Sequence, residues 1–178
     1  MITEEKKILL QLARTSIENK LGKDNNFEIP DNEFLQMERA VFVTLHKNGQ
    51  LRGCIGHMQA RMPLYKAVAE MAVSAAFEDP RFPQVIAEEM GNIEIEISVL
   101  SPMKRIYDHT KIRMGIDGVW IQKGFYSGVY LPQVALETGW DRETFLRSLC
   151  SSKAGLPADA YKDPNTEIYI YQVEKISE

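Results

Sequence analysis

The sequence predicts an α+β fold, a single two-lobed domain with an antiparallel or mixed β-sheet and flanking helices. Residues 4–21 carry an apolar side chain at every fourth position, which is typical of an amphipathic helix. Asn48-Gly49 follows a run of apolar and β-branched residues and is a strong hairpin signal. Residues 92–100 alternate isoleucine or valine with other side chains, as a half-buried strand does. Because hairpins pair antiparallel, this mixture of elements favours α+β over α/β.

The other predicted elements fit this class in chain order. Residues 40–46 form the strand before the hairpin. Pro63 can open a second helix, and the two prolines within residues 78–83 end it. We expect one domain over residues 1–178, with its two lobes meeting near residues 101–113. The remaining predicted elements are a short helical piece at 84–90, strands at 119–122 and 128–131, a helix from Pro132 to Gly139, a helix capped by Asp141, and a last strand at 167–173.

Composition and charge restrict the function classes. The chain has 178 residues, 44% of them hydrophobic and 26% charged, which is typical of a globular domain. The net charge of −4 is spread over both halves, so no basic surface for nucleic acid is predicted. No apolar run approaches the roughly 18 residues of a membrane span, and the first residues are charged, so we expect a cytoplasmic protein without membrane contact. Cys54 and Cys150 are predicted to be free thiols.

The hairpin gives a predicted register. If Asn48-Gly49 is a two-residue turn, Leu45 faces Arg52 and Val43 faces Cys54. Arg52 and Cys54 would then share the face of Val43 and Leu45. Leu51 and Ile55 would point to the other face, with Phe42.

The string Leu51-Arg-Gly-Cys-Ile-Gly56, written LRGCIG, resembles the signature of the AMMECR domain family. Bacterial and archaeal members of this family are called AmmeMemoRadiSam system protein A. Further similar strings occur in family order, and together they cover about residues 40–156. They are FEDPRFP at 77–83, EIEISVLS at 94–101, DG at 117–118, LPQV at 131–134, GW at 139–140, FL at 145–146 and KAGL at 153–156.

The resemblance implies a two-lobed α+β domain with enzymatic activity, in a pathway or complex with a Memo-like protein and a radical-SAM protein. We therefore expect a cytoplasmic enzyme of unknown reaction that uses a cleft thiol on a small-molecule or peptide substrate, with no cofactor of its own. The alternative is a non-catalytic accessory module that binds a small molecule, a peptide or those partner proteins. Nucleotide or RNA binding is a weaker alternative, because it depends on a comparison of folds and the acidic charge opposes it.

Cys54 is the candidate nucleophile. A nearby cation favours the thiolate form of a cysteine, and Arg52 lies two positions away and could also anchor substrate. Gly53 and Gly56 would let a ligand or another backbone approach closely. The alternative is a small packed sulfur, with the glycines marking a bulge or a bend in the strand.

Glu96 and His57 are the candidates for proton transfer. The family match favours Glu96 in its strand, although alternating Ile and Glu is also typical of a solvated sheet face. His57 lies three residues after Cys54 and could pair with it, or it could be a partly exposed loop residue. Cys54 and His57 form only half of a zinc-binding pattern, so no metal is expected.

Four more residues are predicted to bind substrate. Asp79 and Arg81 could present a carboxylate and a guanidinium, or they could bond to each other and fix their turn. Gln133 and Trp140 could line a cleft by hydrogen bonding and stacking, or they could cap a backbone and pack in the core.

Overall fold

Two four-stranded antiparallel sheets organise the chain, and the predicted α+β class is confirmed. The computed structural model describes all residues from 1 to 178. Its contacts divide the chain into two units, one formed by residues 1–100 and 174–178 and the other by residues 101–173. None of the helices is both long enough and apolar enough to span a lipid bilayer.

The elements are numbered in chain order. The helices are α1 (Thr3–Lys20), α2 (Glu33–Gln36), α3 (Leu64–Phe77), α4 (Pro132–Thr138) and α5 (Arg142–Ser148). Short 3-10 helices lie at Ala87–Asn92, His109–Lys111 and Ala160–Lys162, and a π-helical turn lies at Leu149–Lys153. The strands are β1 (Val41–Lys47), β2 (Gln50–Gly56), β3 (Ile93–Leu100), β4 (Lys104–Ile106), β5 (Gly118–Lys123), β6 (Tyr126–Tyr130), β7 (Glu167–Tyr171) and β8 (Val173–Ser177).

The first unit packs α1 and α3 on one face of the sheet β2-β1-β3-β8. The apolar positions predicted from periodicity form this core, because side chains spaced by four on a helix and by two on a strand point the same way. Burial of this face leaves the alternate side chains of β1 half-exposed on the other face. The fully buried residues include Leu9, Ala13 and Ile17 of α1, Val41, Val43 and Leu45 of β1, and Ile95 and Ile97 of β3.

The hairpin of β1 and β2 turns where the sequence predicts. Asn48 and Gly49 have φ of 52° and 75°, and Lys47 faces Gln50. The predicted register beyond that pair is wrong, because a β-bulge shifts the pairing between Leu45 and His46.

Past the bulge, Gly53 rather than Arg52 faces Leu45. Cys54 faces Thr44, so its side chain leaves the core face on which we expected it. Ile55 faces Val43 and packs against the core, instead of pointing away from it.

The second unit contains the sheet β4-β7-β5-β6. Its core is formed with α4, α5 and the π-helical turn. As predicted, Pro132 begins α4, Gly139 ends it with a φ of 66°, and the Asp141 carboxylate caps α5 by accepting the Thr144 N–H at 2.8 Å.

The last predicted strand, at 167–173, corresponds to β7, and the chain is then interrupted before β8 in the other sheet, which was not predicted. The interruption is Gln172, whose N–H donates to the Ser101 hydroxyl at 2.9 Å and whose carbonyl accepts the Ser101 N–H at 2.9 Å. Strand β7 ends before this residue, and β8 continues after it into the first sheet. The sequence of β8, Val-Glu-Lys-Ile-Ser, has only two apolar side chains and gives a weak strand signal.

Candidate functional site

Cys54 lies on β2, the strand at one end of the first sheet's strand order, and side chains hold both of its backbone polar groups. Its N–H donates to Asp79 Oδ2 at 2.9 Å. Its carbonyl accepts a hydrogen bond from Arg81 Nη2 at 3.3 Å. Both backbone groups therefore point away from β1, which makes Cys54 and Thr44 a non-hydrogen-bonded pair whose side chains lie close together.

Asp79 and Arg81 form a bidentate ion pair, which we call the clamp. Arg81 Nε donates to Asp79 Oδ1 at 2.9 Å, and Arg81 Nη2 donates to Oδ2 at 2.7 Å. These hydrogen bonds hold the pKa of Asp79 well below its usual range, so this carboxylate is charged although its side chain is only 2% exposed. Asp79 and Arg81 thus bond to each other and fix their turn, which was the alternative to substrate binding. The clamp also fixes the backbone of Cys54.

The Cys54 thiol is half-buried on the sheet face opposite the helices, where Thr44 Oγ1 donates to its Sγ at 3.2 Å. Thr44 also faces Glu96 on β3, so Cys54, Thr44 and Glu96 form a row across three strands. Glu96 continues the row through an ion pair with Lys175 of β8 at 3.0 Å. A thiol, a hydroxyl, a carboxylate and an amine thus follow one another on one face.

Arg52 does not accompany the thiol. It donates to Glu89 from Nε at 3.2 Å and from Nη2 at 2.9 Å, and from Nη1 to the Pro83 carbonyl at 2.8 Å. Lys47 donates to the same Glu89 carboxylate at 2.7 Å. Hydrogen bonds from Arg52, and then from Lys47, lower the pKa of Glu89 from 4.5 to about 2. The guanidinium that we expected beside Cys54 instead ties β2 to the segment after α3.

The two glycines beside Cys54 accommodate protein atoms. A Cβ on Gly53 would lie 2.1 Å from the Ala75 carbonyl oxygen of α3. A Cβ on Gly56 would lie 2.3 Å from the Phe42 ring. The motif LRGCIG therefore packs a strand closely against a helix and an aromatic ring, which was the alternative to ligand approach.

His57 does not pair with Cys54. Its N–H donates to the Val41 carbonyl at 3.0 Å, and neither buried ring nitrogen has a hydrogen-bond partner. Strand alternation places His57 on the opposite side from Cys54, three positions away. The predicted cysteine–histidine pair is thus not formed.

Gln133 and Trp140 belong to the second unit. Gln133 is half-buried in the first turn of α4. Trp140 packs against the second core, with its ring 6.4 Å from that of Tyr130. The second cysteine, Cys150, is fully buried in the same core, and burial raises the pKa of its thiol. Both cysteines are free.

Thr44 is the site residue that sequence reasoning missed. The only sequence signal for Thr44 was its position in the first strand of the hairpin. The bulge changes the residue that faces Cys54 from the predicted Val43 to Thr44. No group of three or more His, Cys, Asp and Glu side chains is arranged to hold a metal ion.

The fold and site define an α+β protein of two antiparallel sheets with a clamped thiol on an outer strand of one sheet. The AMMECR1 family model matches residues 10–176, and the chain belongs to this family. A protein of Methanothermobacter thermautotrophicus is 43% identical over 96% of this chain and 93% of its own length. A protein of Pyrococcus furiosus is also 43% identical, over 96% of this chain and 86% of its own. The crystal structure of an uncharacterised protein from Pyrococcus horikoshii has a TM-score of 0.84 and 40% identity, covering 100% of this chain and 93% of that one.

Proposed function

We propose that this AMMECR1-family protein is a thiol-dependent enzyme whose nucleophile is Cys54. The observation that carries the proposal is the clamp: a charged, buried carboxylate and its arginine hold the N–H and the carbonyl of one residue, and that residue is the half-exposed cysteine. When the backbone of a reactive residue is already fixed, less conformational entropy is lost on reaching the transition state.

The thiol side of the site supports the same role. A hydroxyl that donates to sulfur stabilises the thiolate, and Thr44 donates to Cys54 Sγ. In the proposed reaction, the Cys54 sulfur forms a bond to a carbonyl carbon of a substrate lying over Thr44, and the π bond of that carbonyl opens. Glu96, one strand further along the row, carries the thiol proton to the resulting oxygen. Arg81, whose side chain is 56% exposed, is balanced in charge by Asp79 and acts by holding the Cys54 carbonyl.

The proposed context is a pathway or complex shared with a Memo-like protein and a radical-SAM protein. Support for this context comes from the family resemblance of the LRGCIG string and the strings that follow it. The thiol would then act on a small molecule or peptide that one of these partners makes or consumes.

The first experiment measures iodoacetamide alkylation of each cysteine by mass spectrometry, as a function of pH. We expect Cys54 to react in the folded protein and the fully buried Cys150 to react only after unfolding. Cys150→Ser is the control and should leave the rate at Cys54 unchanged. If Cys54 reacts only in unfolded protein, the proposed enzyme function is wrong.

A second candidate function is an accessory module that binds the partner proteins without catalysis. It is favoured by the structural use of Arg52, Gly53 and Gly56 and by the absence of a hydrogen bond between Cys54 and His57. Cys54→Ser separates the two candidates. An enzyme should lose activity in a pathway assay with the Memo-like and radical-SAM proteins, whereas an accessory module should retain both activity and association.

A further inference from the structure

The second unit contains a cavity that the proposed thiol function does not use. Its volume is about 410 Å³, within the range of small-molecule sites. It lies between the segment that follows β4 and the segment that precedes β7. Arg105 of β4 lines it together with Tyr107 and His109 of the first segment, and Lys162, Asp163 and Thr166 line it from the second.

The charges around the cavity leave positive groups available. The Asp163 carboxylate is bound by Lys123 Nζ at 2.6 Å. Lys162 lies 3.6 Å from Asp159, beyond hydrogen-bonding distance, and Asp159 is bound more closely by Arg147.

Arg105 pairs with Glu167 at 3.3 Å, and both side chains are well exposed. Such a surface pair contributes little, so Arg105 can exchange its partner at low cost. Arg105 and Lys162 are therefore two cations available to an anion.

Two polar atoms beside the cavity, the Thr166 hydroxyl and His109 Nδ1, have no hydrogen-bond partner. Both atoms are covered by surrounding protein atoms, so a molecule in the cavity does not reach them. Binding in the cavity therefore depends on the cations and the rings of its wall.

The rest of the wall suits a flat apolar group. Ile106, Pro164 and Ile168 line the cavity, and Tyr161 lines it with a ring 5.0 Å from that of His109. Tyr107 is 88% exposed, and the Arg105 guanidinium lies 5.1 Å from the centre of its ring. Aromatic faces and guanidinium groups both stack on planar ligands.

We propose that this cavity binds a small organic anion, a carboxylate or phosphate carried on a planar ring. Lys162 and Arg105 bind the anionic group, and Tyr107 stacks on the ring. The site is independent of Cys54, so Cys54→Ala protein should bind such an anion as the wild type does.

The test uses the full chain and two-dimensional ¹H–¹⁵N NMR, with indole-3-carboxylate and phenyl phosphate as probes. Fragments of about ten atoms bind in the millimolar range. We expect saturable shifts confined to the residues around the cavity. Shifts with only one of the two probes would identify the preferred anionic group. Benzyl alcohol, which has a ring but no charge, should cause no saturable shift. No saturable shift with either probe, or equal shifts with benzyl alcohol, would overturn the proposal.

Two variants with matched controls test the assigned roles. Lys162→Gln should weaken binding about fivefold to tenfold. Lys153→Gln is the control and should leave the affinity unchanged. Both lysines lie over a tyrosine ring, Lys162 at 5.4 Å from the centre of the Tyr161 ring and Lys153 at 5.8 Å from that of Tyr130.

Arg105→Gln should also weaken binding about fivefold, because it removes the second cation of the cavity. Arg61→Gln, at an exposed position of the first unit, is its control. Unchanged affinity in both Lys162→Gln and Arg105→Gln would show that the probes bind elsewhere.

Discussion

Asp79 accepts the backbone N–H of Cys54 at 2.9 Å, which joins a buried carboxylate to the residue that carries the candidate nucleophile. The two residues are 25 positions apart, and the turn after α3 brings them together. The proposed activity of the thiol thus depends on a side chain that need not touch substrate.

Asp79→Asn tests this dependence. An amide cannot reproduce the charged bidentate pair with Arg81, so we expect a loss of about 1–3 kcal/mol in the free energy of unfolding, measured by urea denaturation. We also expect a change in the alkylation rate of Cys54. Asp24→Asn, at an exposed position, should change neither quantity. An Asp79→Asn protein with wild-type stability would contradict the clamp.

Thr44→Val tests the hydrogen bond to the thiol. The variant keeps the shape of the side chain and removes the donor, so alkylation of Cys54 near neutral pH should slow about fivefold. Thr44→Ser keeps the hydroxyl and should react at close to the wild-type rate. Equal rates in all three proteins would mean that Thr44 does not influence the sulfur.

Gly53→Ala should destabilise the first unit by about 3 kcal/mol, because its Cβ would lie 2.1 Å from the Ala75 backbone oxygen. The control is Gly91→Ala, where an added Cβ meets nothing within 4 Å and should cost little. Thermal unfolding measures both effects. Similar melting temperatures for the two variants would show that α3 does not approach β2 so closely.

Acid should remove the stabilisation that Glu89 provides. Its pKa is about 2 in the folded protein against an ordinary value of 4.5, so the unfolded chain takes up the proton first as the pH falls. The contribution is complete above about pH 4.5 and is lost between there and pH 2.

Glu89→Gln should therefore be less stable than wild type at pH 7, by about 1–3 kcal/mol, and the difference should narrow at acid pH. Urea denaturation across this pH range measures it. A constant difference between the two proteins would contradict the assignment to Glu89.

Local patterns predicted every helix except the short α2, the hairpin turn and most strands, because periodicity and turn chemistry are encoded within a few residues. The bulge at Arg52 is not encoded in this way. It is stabilised by Glu89, 37 positions later, and by the approach of Gly53 to Ala75. One extra residue in the strand moved Cys54 to the opposite face of the sheet. The motif was therefore identified from the sequence, but the residue predicted to face Cys54 was wrong.

Strand β8 was missed for a similar reason. Gln172, which precedes it, is fixed by Ser101, 71 positions earlier, and the predicted strand ended at residue 173. The cavity in the second unit left no signal either, since its lining combines residues near 105–109 with residues near 161–168. Sites built from such distant segments depend on tertiary contacts that spacing does not report.

The clamp also bears on self-association. Strands with free outward N–H and carbonyl groups can recruit another extended chain, and natural proteins guard such edges with charges. At Cys54 both groups are already engaged by Asp79 and Arg81. The same ion pair that orients the thiol therefore blocks strand addition there, and its loss would favour aggregation through β2.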